Sequence, residues 1–91
     1  MTDSVRDNPE RHRFELEVGG YTAFTEYKLA PGVITFVHTE VPAALGGQGV
    51  GTKLAKGALD QVRARGLKVV AKCPFIASFI AKRKEYQDLL A

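Results

Sequence analysis

The sequence predicts a mixed α+β domain of order β-β-β-α-β-α, an antiparallel meander that runs on into a parallel strand–helix–strand unit. Three observations predict it. Residues 12–41 alternate apolar and polar in three runs divided by Gly19-Gly20 and Ala30-Pro31-Gly32. A glycine cluster at 46, 47, 49 and 51 opens a segment whose apolar residues recur at helical spacing. Residues 67–72 are then short, apolar and β-branched, and Pro74 opens a second helical stretch. A strand, helix and strand in this succession imply a parallel pair joined by a right-handed crossover.

Bulk properties bound the rest. With 91 residues, 45% apolar and 25% charged, the chain can bury one small core, so a single domain over 12–91 is expected. Residues 1–11 are polar, carry Pro9 and show neither periodicity, and they read as a flexible leader. One cysteine excludes an internal disulfide. With no apolar signal and no membrane-length run, a cytoplasmic setting and no membrane partner are the expectation. The net charge of +3 suits a polyanionic cofactor as readily as nucleic acid. Nucleic acid is the weaker reading, because no aromatic stacking platform accompanies the basic residues.

In the first strand, 12–18, Phe14, Leu16 and Val18 oppose Arg13, Glu15 and Glu17, which leaves one face wet. Gly19-Gly20 supplies the positive φ of a tight hairpin turn. The second strand, 21–29, puts Tyr21, Ala23, Thr25, Tyr27 and Leu29 on one side. The third, 33–41, sets Val33, Thr35, Val37, Thr39 and Val41 against Ile34, Phe36, His38 and Glu40. Apolar groups on both faces place it at the centre, covered on both sides. Pro42 ends its ladder. The helix over 48–65 turns Val50, Leu54, Ala55, Ala58, Leu59 and Val62 to one face, with Gly66 as its expected cap. A fourth strand ends at Cys73, and a second helix with Phe75, Ile76, Phe79 and Ile80 on its apolar face closes on Lys82-Arg83-Lys84. The stretch 86–90 is too short to assign.

Chemistry concentrates at the glycine cluster. Without side chains there, a ligand can reach the backbone, and the amides at a helix start lack intrahelical partners while the dipole adds partial positive charge. A phosphate or pyrophosphate is the expected guest. A Walker A loop does not fit, since Gly51-Thr52-Lys53 inverts its last two residues, and a dinucleotide fingerprint fails because Thr52 or Leu54 stands where its third glycine belongs. His38 and Glu40 share one face and could each accept a proton, directly or through water; their ordinary readings are a half-buried histidine and a solvated strand-end carboxylate. Cys73 either packs as a small hydrophobe or, at a helix start that favours a thiolate, serves as nucleophile or proton donor. Two histidines 26 positions apart and a distant cysteine give no metal-ligand spacing.

Gly47-Gln48-Gly49-Val50-Gly51, after a strand and before an amphipathic helix, resembles the pyrophosphate loop of the GCN5-related N-acetyltransferases (GNAT). The order of strand, loop, helix, strand and helix is similar as well. Three pieces resemble the compact YjdJ-type acetyltransferase-like domains over 33–90: His38-Thr39-Glu40-Val41-Pro42, the loop itself, and Cys73-Pro74-Phe75 followed by Lys82-Arg83 and Glu85-Tyr86. The resemblance implies a GNAT-like fold with acetyl-CoA as cosubstrate and no metal. It implies a pyrophosphate on the amides of Gln48, Gly49, Val50, Gly51 and Thr52 with Lys53 as cationic support. A pantetheine arm would lie along Thr39 and Val41, with the thioester near Cys73, Pro74 and Phe75. The chain departs from the broad family at Gly46, where arginine or glutamine is usual, and at Phe79-Ile80-Ala81, where larger enzymes often carry a tyrosine acid.

Two functional readings follow. The first is an N-acetyltransferase that moves the acetyl group of acetyl-CoA to a primary amine by direct attack, with Cys73, His38 and Glu40 as the catalytic residues; an acetyl-cysteine at Cys73 is its covalent variant. Its acceptor could be a protein, a polyamine or a small metabolite. The alternative is a non-catalytic CoA-binding or protein-interaction module on the same fold. The sequence does not specify oligomeric state.

Overall fold

The computed structural model describes residues 5–91. Five strands, β1 (Arg6–Asn8), β2 (Arg13–Val18), β3 (Tyr21–Ala30), β4 (Val33–Glu40) and β5 (Lys68–Ala71), form one sheet in that spatial order. The helices are α1 (Val50–Ala64), α2 (Pro74–Ala81) and the short α3 (Lys84–Gln87). Strands β1 to β4 are antiparallel and β4 pairs with β5 in parallel, so the expected mixed α+β architecture is the one observed. Gly66 ends α1 in a Schellman arrangement, Leu67 N donating to Val62 O at 3.2 Å and Gly66 N to Arg63 O at 3.0 Å.

One core joins sheet and helices. Phe14, Leu16, Ala23, Tyr27, Ile34 and Phe36 meet Leu54, Ala58, Leu59 and Val62 of α1 and Ile76, Phe79 and Ile80 of α2, all buried. The helices therefore cover one face of the sheet. Arg13, Glu15, Phe24, Glu26, Thr35 and Val37 are partly exposed, and Lys28, His38 and Glu40 exposed, on the other. This corrects the expectation that β4 is covered on both sides: it has a strand neighbour on each edge, but Val33, Thr35 and Val37 stay half-exposed. Their β-branched side chains suit a pleated surface without full burial.

Residues 6–11, expected as flexible leader, form β1 and a 3-10 turn at Pro9–Arg11. Their polar groups find partners that periodicity does not reveal. Tyr27 Oη donates to Asp7 Oδ1 at 2.5 Å, Arg65 Nη2 donates to Asp7 Oδ2 at 2.7 Å, and Gln61 Nε2 donates to Val5 O at 2.7 Å. Val5 lies over Gly57 of α1, where an added Cβ would overlap its side chain. Residues 1–4 of that leader lie outside the described residues. At the other end, Val69 N donates to Leu89 O at 2.7 Å and Ala91 N to Val69 O at 2.9 Å, so the last residues line the outer edge of β5. Among the described residues no helix is long and apolar enough to cross a membrane.

The sheet has one irregularity. Glu26 pairs with His38 but Tyr27 with Phe36, so Val37 is an extra residue in β4. Before it, Ile34 and Phe36 point into the core. After it, Thr39 does, and His38 and Glu40 are on the bare face.

The Asp7 clasp can be tested by pH. Burial, then the hydrogen bond to Asp7 and its negative charge, pushes the Tyr27 hydroxyl up to about 12. An unfolded tyrosine ionises near 10, so this contribution to stability is complete below about pH 10 and is lost as pH rises through the folded value. Replacing Tyr27 by Phe should cost about 2 kcal/mol at neutral pH. In chemical denaturation, wild type should lose stability more steeply than Tyr27→Phe above about pH 10; parallel curves would remove the clasp from the account.

Candidate active site

The bulge at Val37 and an early departure of β5 together make a gap. Pairing of β4 with β5 ends at Phe36↔Ala71, where Phe36 O accepts from both Lys72 N at 3.0 Å and Cys73 N at 2.9 Å. The chain then turns into α2, while β4 continues to Glu40 beside β3 alone. That edge of β4 can receive an extended ligand as an added strand.

The glycine loop closes one end of the gap. Gly47 (φ +78°) and Gly49 (φ +70°) hold left-handed backbone, and a Cβ at either would meet nothing within 4 Å, so the space before the loop is open. The first helical bond of α1 is Lys53 N to Gly49 O at 3.1 Å, which leaves the amides of Val50, Gly51 and Thr52 without intrahelical acceptors. No acidic residue stands in that first turn. The Gln48 amide differs, donating to Leu45 O at 3.4 Å behind the short 3-10 turn Ala43–Leu45. Gly51 serves packing: a Cβ there would lie 2.8 Å from Phe75 Cζ and 3.6 Å from Val41 Cγ2. Its absence lets Phe75, in the first turn of α2 after Pro74, and Val41 pack against the first turn of α1. Two helix N-termini thus meet at one end of the molecule, an arrangement suited to a polyanion.

Cys73 caps α2 at the other side of the gap and is 3% exposed. Its Sγ lies 3.1 Å from Thr39 Oγ1, which lies 2.8 Å from Thr25 Oγ1. Thr25 is fully buried. Thr39 can accept the thiol proton while donating to Thr25, or donate to sulfur while accepting from Thr25. Cys73 is therefore hydrogen-bonded as well as packed.

His38 and Glu40 stand on the bare face, 52% and 61% exposed, with Nε2 and Oε2 2.8 Å apart. The bulge separates them from Thr39 and Cys73 by the thickness of the sheet, one pair on each side of the β4 edge. Beside the loop, a cleft of about 360 Å³ runs between α1 and α2, lined by Thr52, Phe75, Ser78, Phe79, Lys82, Arg83 and Glu85. Tyr86 lies elsewhere. Its hydroxyl donates to Asp60 Oδ1 at 2.7 Å, and burial and that bond raise its pKa; Asp60 is roughly 14 Å along α1 from Gly51. Among the described residues no group of three His, Cys, Asp or Glu could hold a metal ion.

Two features escaped the sequence reading. Thr25 is the hydroxyl partner of Thr39, and its signal was a small polar residue on the face of β3 that carries Ala23 and Tyr27 into the core. The bulge at Val37 had no signal, since β4 carries no glycine or proline there.

Replacing Thr39 by Val should strand the Thr25 hydroxyl in the core and cost about 1–3 kcal/mol, whereas Thr39→Ser should keep most of the stability. Denaturant titration of the three proteins checks this. Equal losses in both variants would assign the effect to the methyl group and not to the hydroxyl chain.

Comparison with known proteins agrees with this geometry. Residues 13–89 match the family profile described as GCN5-related N-acetyl-transferase. Protein NATD1 of Mus musculus is 31% identical over 80 residues, which cover 84% of this chain and 72% of that protein. An NMR solution structure of a GCN5-like protein from Staphylococcus aureus superposes with a TM-score of 0.74 at 29% identity, covering 100% of this chain and 91% of that one. With the gap between β4 and β5, the glycine loop at the start of α1 and a profile match over most of its length, the chain belongs to the GCN5-related N-acetyltransferase family.

Proposed function

We propose that the protein is an acetyl-CoA-dependent N-acetyltransferase acting on a primary amine. The observation that carries this reading is the gap between β4 and β5, bounded by three unpartnered amides of α1 at one end and by Cys73 at the other. Acetyl-CoA, when bound, supplies the acetyl group as a thioester. The amides of Val50, Gly51 and Thr52, with Gly49 before them and Lys53 behind, hold the pyrophosphate. Lys82 and Arg83 bring positive charge to the adjoining cleft. The β4 backbone from His38 to Val41 pairs with the pantetheine amides, and an amide of that edge polarises the thioester carbonyl.

Catalysis divides between the two faces. Glu40, directly or through His38, takes the proton that the amine must lose, and the pair's 2.8 Å contact allows the charge to be shared. Cys73 gives its S–H proton to the departing sulfur, and Thr39 then turns its hydroxyl to donate to the Cys73 sulfur while Thr25 donates to Thr39. A carbon–nitrogen bond forms, the carbon–sulfur bond breaks, and the proton count balances. The proposed setting is the cytoplasm, where the lone thiol stays reduced.

Calorimetry with acetyl-CoA and CoA tests the reading. Both should bind wild type, and Gly49→Asp should weaken them at least about tenfold, or about 1.4 kcal/mol, with an unchanged circular dichroism spectrum. A side chain at 49 meets nothing within 4 Å, and aspartate is among the residues that tolerate left-handed backbone, so the substitution should cost about 1 kcal/mol of stability and leave the fold intact. A folded wild type that binds neither compound would leave the interaction-module reading in its place. With binding established, Cys73→Ser and Glu40→Gln should each slow acetylation of a primary amine by about 10²-fold or more without weakening acetyl-CoA; unchanged rates would exclude the assigned proton transfers.

A further inference from the structure

The bare face of the sheet carries a second concavity. Strand β2 stops pairing at Arg13↔Glu26, while β3 runs on to Ala30, and His12 O accepts from Tyr27 N at 2.9 Å where the ladder ends. Beside that overhang is a cleft of about 460 Å³ lined by Arg11, His12, Glu26, Lys28, Leu29 and Val37, with Tyr27 between them. Two irregularities of the backbone shape it. Val37 is the extra residue of β4, and His12 holds a left-handed conformation (φ +54°) as the cap of the 3-10 turn, which fixes Arg11 and His12 at the rim.

Its charges set it apart from its surroundings. Arg13 pairs with Glu15, His38 with Glu40 and Arg65 with Asp7. Arg11, Lys28 and Glu26 take part in no ion pair among the described residues. Two cations and one carboxylate therefore line one cleft with no ion pair between them, although the Arg11 charge also acts on Glu15, whose carboxyl it helps to hold below its usual range. A ligand that complements them carries an anionic group for Arg11 and Lys28 and an ammonium group for Glu26. Val37, half-exposed on that face, offers apolar surface to methylenes between the two.

Position links this cleft to the chemistry. Glu26 is the register partner of His38, which touches Glu40. Neighbouring strands are about 4.8 Å apart, so an amine held at Glu26 is within one strand spacing of the β4 edge that lines the gap. We infer that the acceptor is a small zwitterionic amino acid whose side chain ends in a further primary amine, with its carboxylate on Arg11 and Lys28, its α-ammonium turned out to solvent away from those cations, and its side-chain amine directed past Glu26 to the His38–Glu40 pair. This rests on the acetyltransferase reading. One proton of the ammonium passes to Glu26 or to water, Glu40 removes a second as nitrogen bonds to the acetyl carbon, and the sulfur released from that carbon takes its proton from Cys73.

The test separates binding from turnover. The isotope-labelled full chain is titrated with L-lysine and L-ornithine, and with their decarboxylated counterparts cadaverine and putrescine, first by NMR without acetyl-CoA. At least one amino acid should shift the amide signals of His12, Lys28, Leu29 and Val37, and its diamine counterpart should bind at least about tenfold more weakly. The double variant Arg11→Glu, Lys28→Glu should lose those shifts while binding acetyl-CoA as wild type does. Acetylation assays with the same four compounds should rank them in the same order. No shifts with either amino acid, equal affinity for a matched pair, or shifts that persist in the double variant would each overturn the proposal. Amino-acid shifts in a protein that does not bind acetyl-CoA would overturn the acetyltransferase reading and leave the zwitterion site standing.

Discussion

One extra residue in β4 organises the site. Side chains alternate strictly along a strand, so without Val37 out of register, Thr39 would point away from the core and His38 towards it. With the insertion, Thr39 reaches Cys73 and Thr25 on the helix side, and His38 and Glu40 emerge together on the solvent side. A thiol and a histidine–carboxylate pair are thereby placed on opposite sides of one strand edge. The thiol is buried and the histidine–carboxylate pair exposed, so the two sit in different surroundings.

The departure of β5 is the second half of the same arrangement. Phe36 O accepts from the two amides that follow that strand, Lys72 N and Cys73 N, so the ladder closes on a saturated carbonyl before α2 begins. The sheet then opens where both helix N-termini stand. Gly51 is what allows the two to come so close, since any side chain there would occupy the place of the Phe75 ring. Packing, more than loop flexibility, thus accounts for this glycine, while Gly47 and Gly49 are required by backbone conformation.

Small size constrains how the rest is held. Helices cover only one face, and the chain ends supply what a larger domain would obtain from additional layers. The N-terminal strand is fastened through Asp7 to Tyr27 of the sheet and Arg65 at the end of α1, and the C-terminal residues hydrogen-bond along β5. Tyr86 belongs to this fastening as well, tied to Asp60 and Lys56 of α1. Leaving the second face bare keeps His38, Glu40 and the neighbouring cleft open to solvent.

Local pattern alone determined the order of elements from β2 to α2, the glycine-opened helix, the cap at Gly66 and the identity of Thr39, Cys73, His38 and Glu40 as residues near one end of the sheet. These follow from periodicity and from glycine and proline placement, which act over a few residues. Tertiary structure decided the faces. Whether His38 and Cys73 share a side depends on a bulge that no residue type announces, Thr25 becomes part of the site only through a partner 14 positions away, and the leader becomes ordered only because Asp7 meets Tyr27 and Arg65, 20 and 58 positions on. Interactions of that separation are paid for by chain closure and returned by burial, and neither quantity is visible in a window of sequence.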